Sequence, residues 1–203
     1  MNDMTAVTFG LQAFVTLLVI LDPPGATPLF LSLTVHQRRR EQIRMAWLAA
    51  TTSLAIITIF ALFGQLIVNY LDISISALQG AGGLLLLLIS LDLLKGIEKG
   101  NGNQSEKNLA LVPLGTPLLA GPGAIVTIML FAQKVEGASM GIALALAVVG
   151  AHLIIGLSLT FAVSIIKVIK ESGVMLLAKI AGLLTAAIAF EMLMTGIQEM
   201  MSK

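Results

Sequence analysis

A chain of 203 residues that is 57% hydrophobic, only 11% charged and of formal net charge +1 is too apolar for a soluble domain, in which about 45–50% apolar and about 25% charged residues are usual. The absence of cysteine excludes disulfides, thiolate metal sites and thiol-based electron transfer. The longest polar stretch, Glu98 to Asn108, leaves no room for a nucleotide-binding module or a folded catalytic unit outside a membrane. One transmembrane domain over residues 1–203 is expected, without cofactor, metal or nucleic-acid partner.

About 20 apolar residues at ~1.5 Å rise cross a ~30 Å hydrocarbon core. The first such run covers about 6–33. Its start, Met1 to Leu21, lacks the basic n-region and the A-x-A-like site of a signal peptide, so it is read as a retained span. The loop His36–Arg44 carries Arg38, Arg39, Arg40 and Arg44. A second span, 43–69, is bracketed by Trp47 and Tyr70, the only Trp and Tyr, placed to anchor it at opposite interfaces. The third, 75–97, leads into Lys95, Lys99 and Lys107; the fourth covers 109–133. The fifth, 139–166, is followed by Lys167 and Lys170, and the sixth covers 174–199. Nine Lys and Arg thus fall on one side, against Lys134 and Lys203 on the other and Lys179 inside a span. The positive-inside rule puts both termini outside, and Arg38–Arg40 read as a topology signal.

All six prolines lie in two segments that interrupt apolar runs, Asp22-Pro23-Pro24-Gly25-Ala26-Thr27-Pro28 and Pro113-Leu114-Gly115-Thr116-Pro117-Leu118-Leu119-Ala120-Gly121-Pro122-Gly123. Proline removes an amide donor and obstructs the carbonyl one turn earlier, so both segments should break their helices. Broken backbone survives in a bilayer only where protein or a watery cavity surrounds it. The first and fourth spans are therefore expected to meet in the interior. Pro24-Gly25 recurs as Pro122-Gly123, 98 residues further on, and at an offset of 99 Gly82-Gly83-Leu84-Leu85 falls on Ala181-Gly182-Leu183-Leu184, with Asp92 on Glu191. Three spans per copy make the second copy enter the membrane inverted. The expected fold is all-α: six transmembrane helices in two inverted three-helix repeats, about 1–100 and 101–203, an architecture recurrent in transporters.

Asp22 has two readings. It can cap the half-helix that starts at Pro23, with proline well placed at the first helical position, or it can bind an ammonium or a proton. Gly25, Thr27, Thr116, Gly121 and Gly123, with Pro23, Pro28, Pro117 and Pro122 shaping the backbone, offer hydroxyls and accessible amides suited to a small zwitterion. His152, in the fifth span, is read either as a proton relay with Asp22 or as a histidine bonded to a neighbouring helix. Gly80, Gly82, Gly83, Ala178, Gly182, Ala186 and Ala189 are read as helix-packing positions. No zinc-ligand spacing, paired catalytic carboxylates or nucleophile elbow is present, and enzymatic function is not expected.

The two proline-rich segments resemble the hallmarks of the MarC family, and the resemblance covers essentially the whole chain. It implies a six-span protein of the prokaryotic plasma membrane, similar to LysE-type exporters in its internal duplication. The family includes archaeal SnatA-type carriers of small neutral amino acids. The expectation is a secondary transporter of glycine- or alanine-sized substrates, with other metabolite exporters, a channel and a non-transporting structural protein as the rival readings. Oligomeric state is not read from the sequence.

Overall fold

A computed structural model describes residues 5–34, 36–95 and 119–202, and among them every regular element is helical. In chain order these are α1 (Ala6–Leu21), α2 (Pro23–Thr34), α3 (Arg39–Tyr70), α4 (Ile75–Lys95), α5 (Pro122–Gln133), α6 (Ala138–Thr160) and α7 (Ala162–Met201). Four segments are long and apolar enough to cross a membrane: Ala6–Pro28, Arg39–Tyr70, Ala138–Thr160 and Met175–Met201. Two shorter apolar helices, Ile75–Leu91 and Gly123–Gln133, lie where the third and fourth spans are expected. The first half of the fourth span, with Thr116 and Pro117, lies outside the described residues.

Helix starts follow local chemistry. The Thr5 hydroxyl accepts the Thr8 amide at 3.2 Å, and the Ser74 hydroxyl accepts the Ala77 amide at 3.1 Å, each satisfying a donor that the first turn cannot. The Arg38 amide donates to the Glu41 carboxylate at 3.1 Å, half of a capping box, which starts α3 at Arg39 rather than at residue 43. The Gln42 side chain donates to the Thr34 carbonyl at 2.9 Å and so ties the end of α2 to the start of α3. Arg38, Arg39, Arg40 and Arg44 are all exposed at this turn. The fifth span ends at Thr160 rather than 166, because Phe161 leaves helical geometry and α7 restarts at once. Helix α7 is itself interrupted at Lys170, where φ is +61°.

The outer surface is apolar. Helix α1 buries Phe9, Ala13, Leu17 and Leu21 at one-turn spacing and exposes Val7, Leu11 and Val15. Helices α3 and α6 likewise expose Leu62, Leu66, Ile142 and Leu146, surfaces a bilayer solvates and water does not. Helix α1 packs mainly on α6, α3 on α6 and α5, and α4 on α7. Trp47 packs its ring against Gly156 of α6, whereas Tyr70 at the other end of α3 is 90% exposed.

The α4–α7 contact is the most extensive and is built on missing side chains. A Cβ at Gly83 would stand 2.6 Å from the Leu193 amide nitrogen and 2.7 Å from the Ala189 carbonyl oxygen. One at Gly196 would stand 2.7 Å from the Gly80 nitrogen and from the Ser76 oxygen. Backbone meets backbone here, which is how helices gain dispersion energy in lipid, where the hydrophobic effect does not hold them together. Gly83→Val and Gly196→Val should each lower stability in detergent by about 1–3 kcal/mol, the usual consequence of overpacking. Gly80→Ala, whose Cβ would meet only the Met200 methyl at 3.9 Å, is the control and should leave the thermal midpoint unchanged or raised. Equal losses in all three would place the tight contact elsewhere.

Candidate functional site

The first break closes on Asp22. This residue adopts a left-handed conformation, φ +43°, ending α1 while its amide still donates to the Leu18 carbonyl at 3.2 Å. Its carboxylate Oδ1 accepts the Gly25 amide at 3.2 Å, and its carbonyl accepts the Ala26 amide at 2.8 Å. Pro23 and Pro24 have no amide hydrogen. All the donors that a helix start normally leaves open are therefore either absent or bonded at α2. The cap expected of Asp22 is present.

Glycine at position 25 follows from that cap. A Cβ there would overlap the Asp22 carboxylate, so any larger residue expels the group that completes the turn. Thr27 is buried, and its hydroxyl donates to the Pro23 carbonyl at 2.6 Å, within its own turn of α2. Pro23, Gly25 and Pro28 are partly buried around it. Asp22 itself is 6% exposed, and its second oxygen, Oδ2, is buried without a hydrogen-bond partner among the described residues. A carboxylate oxygen left unpaired at membrane depth is expensive.

The second break is different. Gly121 is the N-cap of α5, Pro122 opens the helix, and no side chain caps it. The Ile125 amide returns to the Gly121 carbonyl at 3.1 Å, and among the described residues a Cβ at Gly121 would meet nothing within 4 Å. Gly123 is covered by Leu86 of α4, so closely that a Cβ would overlap the Leu86 side chain. Leu21 and Ala26 from the first break and Leu119, Ala120 and Ala124 from the second belong to one continuous apolar core. Ile20 packs on the neighbouring cluster of Leu86, Val126, Ala189 and Met192.

Beside Asp22, Pro23 and Pro24 an open apolar groove of about 220 Å³ runs along Leu18, Ile154, Leu177, Ile180, Ala181 and Leu184 of α1, α6 and α7, and Leu177, Ile180 and Leu184 are themselves exposed on the outer surface. Among the described residues no cluster of His, Asp and Glu could hold a metal ion.

His152 sits elsewhere, buried between α6 and α3. Its Nδ1 is 2.8 Å from the Val148 carbonyl and its Nε2 is 3.1 Å from the Ser53 hydroxyl. A carbonyl can only accept, so Nδ1 carries the hydrogen and Nε2 accepts from Ser53. Of the two readings of His152, the bond to a neighbouring helix is the one present, and no hydrogen bond links it to Asp22 among the described residues. Ser53 was not legible as its partner from local sequence. The signal that finds it is the separation of 99 residues, the offset that relates the third and sixth spans.

A model of the MarC family, described as MarC family integral membrane protein, matches residues 7–201. A UPF0056 membrane protein of Methanocaldococcus jannaschii is 36% identical over 197 residues, covering 94% of this chain and 96% of that protein. One from Aquifex aeolicus is 32% identical, covering 94% and 92%, and YhcE of Escherichia coli is 29% identical, covering 91% and 90%. No solved structure gives a significant match.

Two outcomes are expected of this geometry. Gly25→Ala should lose about 0.5–2 kcal/mol of stability by displacing the cap, and in an Asp22→Ala background the same change should lose nothing further, a coupling read by a double-mutant cycle of thermal unfolding. Ser53→Ala should lose about 1–3 kcal/mol by leaving His152 Nε2 buried without a donor.

Proposed function

The chain belongs to the MarC family of integral membrane proteins, and from that premise we propose that it is a secondary transporter that carries small neutral amino acids such as glycine and alanine by alternating access. It would do so as six spans in two inverted three-helix repeats, in a prokaryotic plasma membrane, with both termini outside.

The observation that carries the reading is the opposite character of the two breaks. The first has no free amide donor but an unpaired carboxylate oxygen on Asp22. The second is a helix N-terminus with no side-chain cap, and a Cβ at Gly121 would meet nothing within 4 Å, among the described residues. A zwitterion matches both ends. Its ammonium would face Asp22 Oδ2, and its carboxylate would face the amides at the start of α5, where the helix dipole favours negative charge. Gly123, held close under Leu86, leaves no space for a long side chain on that side. Asp22 is also the group through which coupling to a proton gradient would run, and Thr116 and Pro117 would complete the second break.

The pairing of helices supports the repeat. Under exchange of the halves α3 corresponds to α6, α4 to α7 and α2 to α5, and the α2–α7 contact is matched by α4–α5, the α2–α6 contact by α3–α5. Two positions related by a two-fold axis can touch each other only beside that axis. Ser53 and His152, 99 residues apart and hydrogen-bonded at 3.1 Å, meet that condition. The axis would then run through the α3–α6 contact, with the breaks on either side of it.

Counterflow tests the function. Proteoliposomes preloaded with unlabelled glycine or alanine should accumulate the labelled amino acid saturably, and protein-free liposomes should not. Asp22→Asn keeps a capping oxygen for Gly25 and removes the charge, so it should fold with a near-normal thermal midpoint and lose at least about tenfold in apparent affinity. Absence of exchange from folded protein, or exchange indifferent to Asp22→Asn, would turn the reading toward another substrate class or a structural role.

A further inference from the structure

Thr185 of α7 is a buried hydroxyl that its own helix does not use. Thr27, Thr34, Thr51, Thr160 and Thr195 each donate to the carbonyl four residues earlier, at 2.6 to 2.8 Å. Thr185 is 2% exposed, and its Oγ1 has no hydrogen-bond partner among the described residues. A hydroxyl in this state forfeits about 1–3 kcal/mol unless something else occupies it. Local helix chemistry could have absorbed it, as it does at the other five positions.

Its place in the fold says what that occupant faces. Thr185 follows Leu184 and lies one turn after Ala181, both of which wall the groove that Asp22 lines, and α7 packs on α2. The repeat gives a second, independent placement. At the offset of 99, Thr185 corresponds to Leu86, and at the offset of 98, Gly25 corresponds to Gly123. Leu86 lies directly over Gly123. On the two-repeat reading, the counterpart of that contact would put Thr185 toward Gly25, where the Asp22 carboxylate occupies the space of the missing Cβ. One half of the molecule closes its break with an aliphatic side chain; the other has an unpaired hydroxyl and an unpaired carboxylate oxygen at the equivalent place.

We infer that Thr185 and Asp22 together form a subsite for a protonated primary amine. Asp22 Oδ2 accepts one ammonium hydrogen and Thr185 Oγ1 accepts another, while the Thr185 hydrogen is free to turn toward a carbonyl. The inference deepens the transport reading and rests on its two-repeat arrangement, but it concerns the amine alone and can be tested apart from transport.

The test uses the full chain in detergent and reads thermal midpoints for wild type, Thr185→Val and Thr185→Ser, with methylammonium chloride and glycine as probes against potassium chloride at equal ionic strength. Without probe, Thr185→Val should melt at or above the wild-type temperature, because an isosteric methyl replaces an unsatisfied hydroxyl. A clear fall would mean that the hydroxyl is bonded within the protein, and the inference would be overturned. With probe, methylammonium should raise the midpoint of wild type and Thr185→Ser, and Thr185→Val should need at least about tenfold more of it for the same shift. An equal response in Thr185→Val, or no response in wild type, also overturns the subsite. Glycine separates the two proposals: methylammonium active and glycine inactive would leave the amine subsite standing and remove the amino-acid reading.

Discussion

The rest of the structure depends on one constraint: a backbone amide or carbonyl inside a bilayer must find a partner within the protein. At Asp22 the chain breaks a helix at mid-span and still meets that constraint for the amide donors of the new helix start. Two consecutive prolines delete the donors that would otherwise be stranded, the Asp22 carboxylate takes the next one, and the Thr27 hydroxyl serves the Pro23 carbonyl. The arrangement needs glycine at 25 to admit the carboxylate, so four residue types in one short segment have a common cause. Among the side chains of this segment one carboxylate oxygen is left without a partner among the described residues, and the chemistry proposed for this protein begins with it.

The second break does not meet that constraint with a side chain. With glycine as N-cap no side chain among the described residues reaches back over the start of α5, and the aliphatic Leu86, which packs on Gly123, offers its amides no acceptor. On the two-repeat reading, an aliphatic side chain at one break and a polar pair at the other would make the halves unlike where they should be most alike. Close helix contact asks the same of both halves. Binding a molecule with two different ends asks something different of each.

Much of this is legible in the sequence, and the limits are physical. The apolar segments are read from composition because lipid tolerates little else, and the breaks from proline because its effect on a helix is local. The cap by Asp22 is local too, lying three residues from its amide. Contacts between helices are not local. Nothing near Ser53 names His152, nothing near Gly83 names Leu193, and a threonine in an apolar helix looks alike whether it bonds its own turn or not. Where helix ends were misplaced, at Arg39 and Thr160, the cause is a side-chain cap in one case and a backbone turn at Phe161 in the other, neither of which alters hydropathy. The internal offset of 99 is the exception to locality. It relates positions far apart in the chain, and it is the one sequence signal that connects Ser53 with His152 and Thr185 with Leu86.

The same offset bears on how His152 is understood. A histidine inside a transport protein invites a role in moving protons, and such a role needs a ring nitrogen that can exchange its partner for one nearer the substrate. Here both nitrogens are occupied within the α3–α6 contact, Nδ1 by the carbonyl one turn back and Nε2 by Ser53. If the halves rock against each other, residues beside the axis move least and those at the breaks move most. A hydrogen bond between equivalent positions is therefore suited to remain intact while the contacts around Asp22 and Gly123 exchange. On the proposed transport reading His152 and Ser53 would serve as the fixed point of the motion, and the charge that a substrate or a proton would meet would be left to Asp22.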